Sequence, residues 1–424
     1  MKSRILSHPL FATFLNLKGN QKVCVYTEPL WGIPFNLFTP YATLYMAALG
    51  LSDRSIGIVA SVNMAFQIVF ALLSGIVTDK LGRKRTTFIF DTLSWSGACF
   101  IWAISQNFNF FIVAAMINGM ARITMNSWSL ILVEDCPEED LVNVYAWIHI
   151  ANFVAGFFAP LTGLIIHMFG LVPSMRGIYI LGFIMMTSKF LIFNRFATET
   201  QQGKVRMRET KHDSILTLFR QYRGVLAAML KTPQTLLALG IMMVMTITML
   251  INVNFWPLLV TERLNIPVEW VGIFPFVRAA VMLALYFLVA PRLSTKYFRN
   301  PMLLGFLMFI ASQALLVTAP FEGFGLIFIS ILLEAASLSL IDPLISSIIV
   351  IAVDFRERAR IMALIHTSVI LFTSPFGWLA GTLSEIQRIL PFVINIGLFV
   401  IGAALTMILA AQLKKDEPGI KVET

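Results

Sequence analysis

Twelve times along its 424 residues this chain runs apolar for roughly the 20 residues that a helix needs to cross a bilayer. The runs lie near 29–50, 55–78, 86–105, 108–133, 142–168 and 172–195, and again near 235–260, 268–291, 300–319, 324–350, 359–384 and 388–412. They leave no gap large enough for a soluble domain. Only 13% of the residues are charged, against roughly 25% in a soluble domain, so lipid is the main solvent. The expected fold is all-α: a polytopic membrane protein of twelve transmembrane helices in two halves of six. The halves span 1–195 and 235–424, and the polar stretch 196–234, rich in Lys, Arg, Gln and Thr, is a partly helical linker between them. Cys24, Cys99 and Cys136 are scattered without a C-x-x-C spacing and read as packing residues. The basic stretch from Met1 to Lys22 lacks an apolar core with a small-residue cleavage site, and reads as a lead-in rather than a signal peptide.

Lys and Arg set the orientation. On this layout 25 of the 32 fall on one side, four (Arg54, Arg176, Arg263 and Arg388) on the other, and three (Arg122, Lys189 and Arg278) within the membrane. The rich side includes the lead-in, the turn at 80–85, the linker and the tail, so both termini are expected in the cytoplasm. The net charge of +9 follows from this distribution and is no sign of nucleic-acid binding.

The densest basic turn is Gly75-Ile-Val-Thr-Asp79-Lys80-Leu-Gly82-Arg83-Lys84-Arg85-Thr86, between the second and third runs. Gly75 allows close approach to neighbours, Asp79 can cap or pair, Gly82 permits the reversal, and the three basic residues hold the turn in the cytoplasm. The string resembles the G-x-x-x-D-[RK]-x-G-[RK] loop between the second and third helices of major facilitator superfamily transporters, and with six-plus-six runs the whole chain resembles a bacterial-type permease of that superfamily. The resemblance implies a conformational-switch loop made of Gly75, Asp79, Lys80, Gly82, Arg83 and Arg85, within an inter-helix charge network. Glu134 and Asp135, ending the fourth run, are possible gate partners for Arg83 or Arg85; an ordinary solvated acidic loop with Glu138, Glu139 and Asp140 is the plainer alternative.

The halves also read as diverged repeats. Ala146-Trp-Ile-His149 with Pro160-Leu-Thr-Gly163 is echoed by Ala363-Leu-Ile-His366 with Pro375-Phe-Gly377 and Gly381. The basic turn is not cleanly repeated, because Pro291-Arg292-Leu-Ser-Thr-Lys296-Tyr-Phe-Arg299 keeps charge but loses the Asp and Gly.

Ionisable residues deep in a membrane are costly and mark function. The fourth run carries Asn118, Arg122 and Asn126 at i, i+4 spacing, on one face. Glu334 is central in the tenth, with Ser330 and Ser337 on its face, and Arg278 is central in the eighth. The resemblance places such charges on helices that line or flank a central cavity. The plainer reading of Arg122 and Glu334 is a buried pair tying the halves together, and for His149 and His366 it is interhelical hydrogen bonding. Lys189 and Asp91 fall near helix ends, where Lys snorkels and Asp meets the interface. Asp342 precedes Pro343 and marks a bend, with a lesser claim to the pathway than Glu334. Asn36, between Pro34 and Pro40 in the first run, and Asn252, which shares a face with Thr248 and Trp256 in the seventh, are pocket-lining candidates. The ninth and twelfth hold no charged residue within their apolar runs, Arg388 counting with the loop before the twelfth.

Ala121-Arg122-x-x-x-Asn126 resembles the fourth-helix R-x-x-x-G pattern of proton-coupled members, with Asn for Gly. Gly156-x-x-x-Pro160-x-x-Gly163 resembles the fifth-helix pattern of antiporters, with Ala159 and Leu164 where Gly is usual, and small-residue packing with a Pro bend explains it equally well. Together they imply a secondary active transporter of a small solute in the cell membrane, proton-coupled and tilted toward export. Its partners would be an unidentified small-molecule substrate, protons and the lipid bilayer, with no cofactor, metal or nucleic acid, and the protein would act as a monomer. Proton symport for uptake and a transport-dead sensor are the alternatives. An intramembrane enzyme would want H-x-x-x-H or H-E-x-x-H, and neither occurs.

Overall fold

The computed structural model describes residues 14–137, 141–210, 233–289, 293, 297–351 and 367–416. No strand occurs among them. Eleven of their helices are long and apolar enough to cross a membrane, from Asp53–Leu81 to Leu390–Gln412. The first apolar run is helical too, but in pieces: Pro29–Phe38, a 3₁₀ turn at Thr39–Tyr41, and Ala42–Ala48, after a separate helix Gly19–Thr27. Pro40 sits in the 3₁₀ turn at the interruption, whereas Pro34 lies inside the piece before it. Pro34 and Pro40 each remove an N–H from the ladder. Asn36 and Thr39 bond back to the carbonyls of Gly32 at 2.8 Å and Phe35 at 2.6 Å.

The chain forms two compact units. The first comprises Met1–Ser55, Val59–Leu218 and Val268–Phe276, the second Ile56–Ile58, Phe219–Pro267 and Val277–Thr424. Aromatic packing is the core of the first: Tyr179 of the sixth span (Leu171–Phe196) meets Phe38, Tyr45 and Trp102 at ring distances of 5.1, 5.6 and 5.4 Å. In the second, Phe309 stacks on Phe399 at 4.3 Å. Gly402 lets Phe306 against the twelfth span, since a Cβ there would lie 2.6 Å from the ring. Large apolar side chains such as Leu164, Met249 and Leu307 face outward, as lipid requires.

Several spans are interrupted. The third (Arg83–Ile104) widens to a π-turn at Thr92–Gly97, and the fourth (Phe108–Val133) breaks at Gly119 and Met120. A Cβ on Gly119 would sit 2.8 Å from the Cβ of Phe66, so Gly is what brings the second and fourth helices together there. The fifth breaks at Phe157 and Phe158, before a helix with Pro160 in its first turn, and the eleventh breaks at Ser374 before Pro375. The repeated prolines of the sequence thus occupy the same local role in each unit, resuming a helix where the missing N–H costs nothing.

Candidate functional site

The tenth helix (Phe324–Ile351) is apolar almost throughout, so a carboxylate at its middle must be met by its neighbours. Glu334, 5% exposed, accepts from Arg278 Nη2 of the eighth helix at 2.8 Å and from Asn252 Nδ2 of the seventh at 3.1 Å. Asn252 Oδ1 in turn accepts from Asn395 Nδ2 of the twelfth at 3.1 Å, and the same amide reaches Gln313 Oε1 of the ninth at 3.4 Å. The second unit therefore has a buried polar chain, Arg278–Glu334–Asn252–Asn395–Gln313, crossing five helices. Arg278 is its open end, with 26% of its side chain exposed. Sequence reasoning singled out the first three members but did not join them, and it missed Asn395 and Gln313. The usable signal was that a lone amide in an apolar run needs a partner. Ser330 and Ser337 bond instead to the ninth helix, at Ser312 Oγ (3.0 Å) and the Gly305 carbonyl (2.6 Å). Asp342 is half-buried and makes no hydrogen bond among the described residues.

The polar residues of the fourth span divide. Asn118 is used up: its amide donates to the Ser94 carbonyl in the π-turn at 3.0 Å, and its oxygen accepts from Asn63 at 3.2 Å. Arg122, in the first turn after the break, is half-buried, and its one side-chain hydrogen bond among the described residues is to the Met125 sulfur, at 3.2 Å. It makes no ion pair among the described residues. Asn126, one turn on, is half-buried and makes no side-chain hydrogen bond among the described residues, and Asn36 makes only its bond back to Gly32 there.

Lys189 does not snorkel, and Asp91 does not meet the interface. Both are buried, at 5% and 7% exposure. Lys189 Nζ donates to Glu28 Oε2 at 2.8 Å and stands 5.8 Å from the rings of Trp31 and Trp128. Asp91 lies within electrostatic reach of both Lys189 and Glu28. The difference arises at the start of the chain. The helix Gly19–Thr27, ahead of the first span, surrounds a depth that sequence alone assigned to the interface.

At the basic turn, Gly82 has φ +85° and joins Asp53–Leu81 to Arg83–Asp91. A Cβ there would fall 2.5 Å from Glu199 Oε2, so both backbone and space demand Gly. The Glu199 carboxylate accepts from the N–H groups of Arg83 and Lys84 at 2.9 and 3.0 Å, filling the anion position at a helix start. Arg83 is buried; Nε and Nη2 donate to Glu134 at 3.1 and 2.9 Å, and Nη1 donates to Asp79 at 3.0 Å. The other Asp79 oxygen receives Arg206 at 2.9 Å, and that hydrogen bond pushes the Arg206 pKa above its ordinary value. Thr200 also donates to Glu134, and Asp135 accepts from the Gln201 N–H at 3.3 Å. The helix Gln201–Glu209 is thus clasped onto the turn. Arg85 is exposed and Lys80 half-buried. Gly75 has open space beside its Cα rather than a close neighbour, a correction to its expected packing role. The side chains of His149 and His366, and residues 138–140, lie outside the described residues.

Long apolar helices that enclose buried polar groups make this a multi-pass membrane protein. The chain belongs to the Major Facilitator Superfamily, whose sequence model matches residues 31–369. Its fold is similar to that of the nucleoside transporter NupG (TM-score 0.68, 17% identity, 94% of this chain and 99% of that one covered). It is likewise similar to a POT family transporter solved with a thioalcohol-conjugated peptide (0.70, 13%, 94% and 96%) and to the human organic anion transporter MFSD10 (0.61, 17%, 91% and 99%). Comparison with curated proteins gives no match. The chain is therefore a transporter of small molecules and not an enzyme.

Proposed function

We propose that this chain is a proton-coupled secondary transporter that works by alternating access in the cell membrane, exporting its solute in exchange for protons, with both termini in the cytoplasm. The observation that carries the reading is the Glu334 carboxylate, buried in the second unit and shared between a guanidinium and an amide. Both partners sit on other helices, so small helix movements change how fully Glu334 is neutralised. When Arg278 turns away toward its exposed side, Glu334 keeps Asn252 alone and a proton replaces the lost charge. When Arg278 returns, the proton leaves. The bend ahead of Pro160 supports the antiport direction, and the distribution of Lys and Arg supports the orientation. The clasp of Asp79, Arg83, Glu134 and Arg206 would be the gate, holding one conformation until its charges part.

The test uses proteoliposomes. Solutes that raise the melting temperature of the purified protein are loaded, and flux is followed with and without an imposed pH gradient. Glu334→Gln should lose gradient-driven flux and keep exchange, because a permanently neutral side chain still crosses between states. Gradient-driven flux equal to that of the unaltered protein overturns the role of Glu334 and makes Asp342 the next carboxylate to examine. Absence of counterflow for every stabilising solute overturns transport itself in favour of a sensor.

A further inference from the structure

Three cations lie well inside the spans: Arg122, Lys189 and Arg278. Two are neutralised, Lys189 by Glu28 and Arg278 by Glu334, each at 2.8 Å. Arg122 is not. Among the described residues its only side-chain hydrogen bond is to a methionine sulfur, a weak acceptor that supplies no counter-charge. A guanidinium cannot shed its proton as a lysine can, so at this depth the charge persists and is costly unless an anion meets it.

We propose that Arg122 is an anion subsite and that the transported solute carries a carboxylate, sulfonate or phosphate group. The guanidinium offers two parallel N–H donors in the geometry such oxyanions accept. Asn126, four residues on and on the same helical face, is half-buried and adds an amide donor. Asn118 does not belong to the subsite, because its amide and its oxygen are both engaged with the second and third helices. The subsite is chemically separate from the proton site proposed at Glu334, because the Arg122 guanidinium carries a fixed charge. The word "solute" rests on the transport reading, whereas the anion subsite does not.

The experiment is a thermal-shift screen of the full-length protein in detergent. The probes are inorganic phosphate, sulfate, and a set of carboxylates, sulfonates and phosphate monoesters, each paired with its neutral amide, sulfonamide or alcohol. Stabilisation should follow the charged members, and the best of them should bind at least about tenfold more weakly to Arg122→Gln. Arg122→Lys, which keeps the charge without the fork, should fall between. Equal shifts from charged and neutral partners, shifts unchanged in Arg122→Gln, or no shift from any anion overturn the subsite. Should Arg122→Gln not survive purification, full affinity retained by Arg122→Lys and by Asn126→Leu overturns it equally. Counterflow keeps the two readings apart. A neutral solute that exchanges in proteoliposomes while anions neither bind nor exchange sinks the anion class and leaves transport intact. Stabilising anions that bind through Arg122 yet never exchange leave the subsite intact and sink transport.

Discussion

Replacing Lys189 by Met tests the buried charge box of the first unit most severely. Breaking a buried ion pair by removing one partner costs about 3–5 kcal/mol, because the other charge is stranded. Lys189 and Glu28 both keep only 7% of their side chains exposed, so little is discounted for water. Lys189→Met strands Glu28 with Asp91 nearby and no base between them, which puts the cost near the middle of that range, about 4 kcal/mol. Glu28→Gln is milder. Lys189 keeps Asp91 within reach and gains an amide oxygen, so about 1–2 kcal/mol is expected. The double variant strands no acid on Glu28 and should cost less than Lys189→Met alone, a coupling of about 2 kcal/mol or more. Equilibrium unfolding by SDS in mixed micelles reads all three, and Trp31 and Trp128 beside the ammonium supply the fluorescence. The order of the single variants is the sharp part. A snorkelling lysine would make Lys189→Met nearly neutral; a cost below about 1 kcal/mol, or Glu28→Gln costing more than Lys189→Met, refutes the box.

Asp79→Asn leaves both Arg83 and Arg206 facing a neutral amide, and should slow transport about tenfold, equivalent to ~1.4 kcal/mol in the barrier, with substrate affinity changed only a few-fold; a large affinity loss at unaltered maximal rate contradicts the gate. Asn395→Leu removes the bridge between Asn252 and Gln313 and should cost about 1–2 kcal/mol in SDS unfolding, an unaltered midpoint showing that the amides are not joined. In a Cys136→Ser background, a cysteine at position 54 should react with an impermeant maleimide on intact cells while one at position 208 reacts only after permeabilisation; the reverse pattern inverts the orientation.

Where the apolar helices run was legible in the sequence, because lipid fixes the length of an apolar run. The expected 108–133 and 172–195 lie against Phe108–Val133 and Leu171–Phe196. Interruptions within runs were less legible. Prolines announced the broken first span and the resumed helices at Pro160 and Pro375, whereas the π-turn at Thr92–Gly97 has no local signature; Asn118, on another helix, bonds the Ser94 carbonyl within it. The linker was read as polar and partly helical, and the helix Gln201–Glu209 lies within it. Its attachment to Asp79 is a contact between residues 127 positions apart, which no spacing rule reaches.

Which charges pair was the least legible property, since sequence gives depth and helical face but not the rotation of one helix against another. Away from the ends of the helices, the first unit holds two cations, Arg122 and Lys189, and the acids nearest that depth are Glu28, ahead of the first span, and Asp91. Electroneutrality would assign one acid to each. The fold instead pairs Glu28 with Lys189, beside Trp31 and Trp128 and within electrostatic reach of Asp91, and leaves Arg122 without a carboxylate partner among the described residues. That asymmetry concentrates negative charge at one point of the unit and leaves positive charge open at another. A bundle selected only for stability would gain by moving Asp91's charge toward Arg122, because a stranded ion within a span costs several kcal/mol. An open cation kept at that cost is accounted for when a passing anion completes it in each cycle.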